Sequence, residues 1–235
     1  MAILPITSFV FLLLSTLLFL FSYYIIDYYL TERPEDWIVQ ITNFSSSTTS
    51  IFTISTHFFA GVTVMILSPI QLLPFLRSSK FLKLHKLIGR VIVFASMLLS
   101  IAGLSYIILI GTAGGLSMDI SFSIYGILMF FTSAMTIKHA INGKITEHRA
   151  MALRLFSLII GSGLYRLLLI PLLLKYHGNG NYDDDEDRSA VITYLNVAAW
   201  FFYFPSLAIM ETYIYLIKPK QAPQEEFSQV KKERI

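Results

Sequence analysis

Cysteine is absent from the 235-residue chain. That excludes disulfides, thiolate metal sites, iron–sulfur clusters and cysteine catalysis. Charge is scarce as well: Asp, Glu, Lys and Arg together make up 14% of the residues, where an ordinary soluble domain carries about 25%. So little charge cannot cover a folded surface in water. A soluble enzyme, a nucleic-acid-binding protein and a disordered chain are excluded together. What is abundant is apolar, with 55% hydrophobic residues and a mean hydropathy of +0.65. The apolar residues fall in blocks of about 20, the length of helix that crosses ~30 Å of hydrocarbon.

Six such blocks stand out, at roughly 9–30, 51–76, 91–112, 118–138, 151–174 and 190–217. No basic region precedes the first, and its end, Ser22-Tyr23-Tyr24-Ile25, lacks a small-residue cleavage pattern, so it reads as a retained span. The expected fold is all-α, an integral membrane bundle of about six transmembrane helices. Residues 1–50 would hold the first span and an acidic connection, 51–217 a five-helix bundle, and 218–235 a polar basic tail.

The small net charge of +3 conceals a segregation. Arg77, Lys80, Lys83, Lys86 and Arg90 lie in the second connection, and Lys138, Lys144, Arg149 and Arg154 in the fourth. With the five basic residues of the tail, these make fourteen of the 18 on one side, against Arg33, Lys175 and Arg188 on the other. Basic loops stay cytoplasmic, so both termini are expected there. The other side is acidic, from Asp27 to Asp36 and again over Asp183–Asp187. The second run lacks the turn and ligand spacing of an EF-hand and reads as a solvated loop. Asn43-Phe44-Ser45 is a glycosylation acceptor pattern on that same side. Which membrane holds the protein is not encoded in these features; a plasma membrane or endomembrane location is compatible with them.

Polar residues within spans are costly and face the bundle interior, so their phase is informative. His57, Gly61, Val64, Ser68 and Gln71 share one helical face, and Gly89, Ser96, Ser100 and Gly103 share another, which His85 joins if its helix starts early. Thr132, Thr136 and His139 form a third stripe, and Tyr203, Ser206 and Glu211 lie in the last span. Gly and Ser stripes are first of all helix-packing surfaces. His57, Arg166 and Glu211 are different, because ionisable groups at membrane depth mark function by default. At 1.5 Å per residue, Glu211 lies roughly 9 Å from the inner end and Arg166 roughly 13 Å from the outer. Arg154 is therefore the expected partner of Glu211. Two polar layers result, an inner one with His85, Arg90, His148, Arg154 and Glu211 and an outer one with His57 and Arg166.

The succession His57…Gly61, Pro69-Ile70-Gln71, Arg77, His85, Gly89-Arg90, His148-Arg149, Arg154, Arg166 and Glu211 resembles one multi-pass membrane family, the domain of unknown function twenty-three-oh-six. The resemblance runs from about His57 to Glu211. This chain has Met151-Ala152 where the family usually has Trp-Met, and Tyr203 and Ser206 where Trp and Asn are common. The family carries no established activity, so the resemblance singles out residues without naming a reaction.

Three function classes fit these residues. The first is a transmembrane electron carrier holding haem b, with His57, His85 and His148 as axial ligands and Arg90 and Arg154 at the propionates. It would need a redox partner or membrane complex subunits. The second is a proton-coupled or anion transporter or channel, with Gln71, Arg166 and Glu211 lining the path beside His57. The third is a membrane enzyme or sensor with His85 and His148 as metal ligands, although no His-Glu-x-x-His, P-loop or dinucleotide motif accompanies them. A scaffolding or assembly role, with the lipid bilayer as principal partner, completes the set.

Overall fold

The computed structural model describes residues 48–176 and 185–216, together with residues 15, 16, 18–20, 22, 23, 26 and 27 of the first apolar segment. Among the described residues there are helices and turns and no strand. The helices are α1 (Thr48–Leu72), α2 (Leu82–Ile110), α3 (Leu116–Ile141), α4 (Ile145–Tyr176) and α5 (Asp185–Phe201), followed by α6 over residues 204–216. Among the described residues, four stretches are long and apolar enough to cross a membrane: Ile51–Leu72, Ser79–Ile110, Leu116–Ile141 and Ser189–Leu216. In α4, residues 155–161 are buried without a break. Within the first segment, Leu18 is buried in the same core and packs against Gly163, where an added Cβ would lie 3.0 Å from the leucine. The Asn43 pattern, the Asp183–Asp187 run's first members and the tail lie outside the described residues.

Two boundaries differ from the hydropathy reading, both at the basic end. Helix α2 starts at Leu82, not near residue 91, and α4 starts at Ile145, not near 151. In both places the charged residues read as loop by hydropathy alone. They lie instead on the exposed face of a continuing helix, while His85, Ile88 and Gly89 of α2 and His148 of α4 are partly buried, and a hydropathy window averages the two faces together. His85, Arg90, His148 and Arg149 are therefore helical. A third difference is an interruption: Phe202 and Tyr203 form a turn between α5 and α6. Pro205 has no N–H to give to the carbonyl four residues back, which opens the ladder there. The Ala199 carbonyl next to the break accepts from the Ser121 hydroxyl on α3 at 2.5 Å.

Contacts fix the direction of each helix. His57 meets Leu99 and Gln71 meets His85, so α2 returns along α1. Gly111 meets Asp119 and Leu104 meets Gly126, so α3 returns along α2. Tyr125 meets Leu158 and Thr136 meets His148, so α4 returns along α3. Along α4, Leu168, Gly161, Ser157 and Arg154 meet Tyr194, Tyr203, Ser206 and Glu211 in turn, and α5 and α6 hold one antiparallel register across the break. The α2–α3 reversal takes five residues, with positive φ at Gly111 and Gly115 (83° and 68°), conformations glycine adopts without strain. The Thr112 amide there donates to Asp119 Oδ1 at 2.7 Å. At mid-height Phe122, Tyr125, Tyr165, Phe202 and Tyr203 stack at centroid separations of 4.9–5.5 Å, and α1 packs on α4 as well as on α2.

Candidate functional site at the basic end of the bundle

The up-and-down course gathers the end of α1, the start of α2, the end of α3 and the start of α4 at one end. Gln71, His85 and His148 come together there, with His139 at the same end of α3. The Gln71 amide donates to the His85 carbonyl at 2.9 Å and lies 3.4 Å from His85 Nε2. Its place against α2 exists because position 89 is glycine: a Cβ there would come within 2.9 Å of the amide nitrogen. The His148 Nδ1–H donates to the Thr136 carbonyl at 2.9 Å. His85 interacts electrostatically with His148 and with Arg77.

These partners assign the tautomers. His85 presents Nε2 to an amide donor, which leaves its proton on Nδ1, and that nitrogen is buried without a partner. His148 spends its Nδ1–H on Thr136, which leaves Nε2 as the basic nitrogen. Gln71 Oε1 and His139 Nδ1 are likewise buried without a partner. Buried polar atoms are normally satisfied, so unfilled ones mark a place where water, an ion or a proton completes the set. Among the described residues, no cluster of three or more His, Asp or Glu could hold a metal; His85 and His148 remain a pair.

Residues 54–214 match a family whose description reads "Predicted membrane protein (DUF2306)". The chain belongs to this family. No curated protein and no solved structure matches it. With several apolar helices and this membership, the protein is an integral, multi-pass membrane protein. The matched region opens just before His57 and closes just after Glu211, so it holds every residue of the cluster.

The other residues singled out by sequence are distributed elsewhere. His57 is half-buried a long way up α1, its Nδ1–H on the Leu99 carbonyl at 3.1 Å and its ring in the notch of Gly103, where a Cβ would lie 2.9 Å from Nδ1. It does not join the basic-end cluster. The Arg154–Glu211 pairing expected from depth is present and bidentate, Nε to Oε1 at 2.5 Å and Nη2 to Oε2 at 2.8 Å. With side chains 25% and 47% exposed, it is a rim pair that ties α6 to α4. Arg90 is exposed on α2 and turned away from the interior. Arg166 stands in α4, but its side chain lies outside the described ones.

The sequence reading did not anticipate the Thr136 carbonyl as the group that orients His148. Main-chain acceptors carry no residue-type signal, and only the α3–α4 register reveals this one. Nor did it mark Tyr203, whose side chain is 0% exposed and whose hydroxyl has no hydrogen-bond partner, as more than a stripe member. The Ser and Thr stripes mostly bond within their own helices, Ser68 to Val64, Ser100 to Ser96, Ser133 to Met129 and Thr136 to Thr132. They bring helices close by being small, as the packing reading had it.

Proposed function

We propose that the protein is a proton-coupled carrier or channel, with the His85–Gln71–His148 cluster as its proton-handling site. The observation that carries this reading is the complementarity of the two imidazoles. His85 offers a buried Nδ1–H with no acceptor, and His148, within electrostatic reach, has its Nδ1–H on Thr136 and so presents Nε2 as its basic nitrogen. A water between them would accept from His85 Nδ1–H and donate to His148 Nε2; once His85 takes up a second proton at Nε2, the resulting imidazolium, which titrates in the physiological range, can release its Nδ1 proton through that water to His148. Partly buried ionisable residues at the mouth of a membrane bundle suit the entry or exit step of a proton relay. Gln71 holds His85 in place through its carbonyl.

The test is flux in proteoliposomes loaded with a pH-sensitive dye. The intact protein should dissipate an imposed pH gradient faster than protein-free liposomes. His85→Ala and His148→Ala should each slow this about tenfold or more, in line with the loss of a proton-transfer group. Rates equal to those of protein-free liposomes for the intact protein would overturn the reading.

The haem reading keeps one observation in its favour. His148 and His57 each donate Nδ1–H to a main-chain carbonyl, the arrangement that orients a metal-ligating imidazole. Space is the counter-argument at this end: α1 meets α2 at Gly89 and α3 meets α4 at Thr136, so a porphyrin would have to enter between α2 and α4. Arg154 is already held by Glu211. A Soret band that shifts on dithionite reduction would decide for haem, and a colourless preparation from haem-sufficient cells against it.

A further inference from the structure

The first turns of α2 carry a strip of cations on their exposed face. Lys83, Lys86 and Arg90 are all exposed, and Arg77 and Lys80 precede them, exposed, in the short turns that lead into the helix. At 100° per residue the three helical cations fall within a 60° arc. The adjoining 60° of the helix surface carries Leu87, Phe94, Leu98 and Ile101, which are 57%, 71%, 38% and 51% exposed. Gly89, Ser96, Ser100 and Gly103 lie on the opposite side, toward α1, with Ser96 and Ser100 buried. Basic head and apolar ridge therefore form one continuous outward surface.

Among the described residues, nothing neutralises this strip. No Asp or Glu occurs between Asp36 and Asp119, and among the described residues none of Lys80, Lys83, Lys86 and Arg90 is paired with a carboxylate. Lys80 instead lies over the Phe81 ring, 5.4 Å from its centroid, and Phe81 stands edge-on to the exposed Phe75. Orientation in the membrane asks only for positive charge near the span ends. It does not ask for three cations in one arc beside an exposed apolar ridge.

We infer that this surface is a binding site for an anionic phospholipid. The phosphate-bearing headgroup would sit among Lys80, Lys83, Lys86 and Arg90, and the acyl chains would lie along Leu87, Phe94, Leu98 and Ile101. A soluble phosphate or an acidic protein would use the cations and leave the ridge unused. A zwitterionic lipid would use the ridge and gain little from the cations. A lipid with net negative charge matches both halves. Juxtamembrane basic clusters attract such lipids with a contribution from each Lys or Arg, and long basic side chains reach from an apolar surface to the headgroup level while their stems stay against it.

The experiment uses the full chain purified in a neutral detergent. Lipid retention is read by native mass spectrometry, and affinity by titration with dioctanoyl phosphatidylserine, dioctanoyl phosphatidylcholine, or inorganic phosphate. Phosphatidylserine should be retained in preference to phosphatidylcholine, and inorganic phosphate should not compete at comparable concentration. The triple variant Lys83→Gln/Lys86→Gln/Arg90→Gln should bind phosphatidylserine about 100-fold more weakly, about five-fold for each charge removed. Lys138→Gln/Lys144→Gln, which removes two cations from the same end but another connection, should leave binding unchanged. If the triple variant does not fold, Lys86→Gln alone should still show the five-fold loss and Lys86→Arg should restore it. Equal retention of the two lipids, an unaffected triple variant, equal loss in the Lys138/Lys144 control, or full competition by inorganic phosphate would each overturn the inference.

Discussion

At the scale of single residues, the α1–α2 interface depends on two polar side chains set into two glycine notches. His57 and Gln71 are spaced along α1 as Gly103 and Gly89 are along α2, in reverse order, so both fit at once only in the antiparallel register observed. The two notches differ in what an added methyl would displace. At Gly103 it would press on Nδ1 and Cε1 of a stiff ring, at 2.9 and 3.1 Å, whereas at Gly89 it would meet the far end of a flexible amide at 2.9 Å. Gly103→Ala should therefore cost about 1–3 kcal/mol through overpacking. Gly89→Ala should cost about 1 kcal/mol, chiefly the lost hydrogen bond from Gln71 to His85. Thermal unfolding in detergent, followed by tryptophan fluorescence, ranks the two. The opposite ranking would mean that the stiffness of the ring is not what matters.

At the scale of elements, the break between α5 and α6 is accommodated by what faces it. Gly161 on α4 lies against the turn, where a Cβ would come to 3.2 Å from the Tyr203 Cα and 3.3 Å from the Phe202 carbonyl oxygen. The obstacle there is backbone, which cannot swing aside as a side chain does. Gly161→Val should push α4 from the turn and loosen the aromatic stack of Tyr125, Tyr165, Phe202 and Tyr203, at a cost of about 2–3 kcal/mol. The near-ultraviolet circular dichroism of the stacked rings should weaken along with stability. An unchanged aromatic signal would show that the stack does not depend on this approach. The Arg154–Glu211 pair, part-exposed at the rim, contributes less, about 1 kcal/mol or below. Its role is to hold α6 in the register begun by α5.

At the scale of the whole molecule, the antiparallel course of α1 to α4 places alternate connections at opposite ends. The complete absence of cysteine makes this directly measurable, since any introduced thiol is unique. Lys80→Cys and Lys144→Cys should react with a membrane-impermeant maleimide from one side of sealed vesicles. Leu116→Cys, exposed at the α2–α3 reversal, should react only from the other. Labelling of all three from one side would overturn the up-and-down crossing.

The all-helical membrane class was legible in composition and block length alone, because scarce charge in a bilayer-length pattern has few physical solutions. The segregation of Lys and Arg was equally plain. So was the Arg154–Glu211 pair, since rise per residue puts both at similar depth. Helix starts were not legible, because charges on the outer face of α2 and α4 look the same in sequence as charges in a loop. The meeting of Gln71 with His85, the separation of His57 from His148, and the carbonyls that set both tautomers were decided only by tertiary structure. The sequence by itself determined which residues lipid would not tolerate. Which of them meet depends on the register between helices, set by glycine notches and tight reversals whose effect exists only across the packed interface.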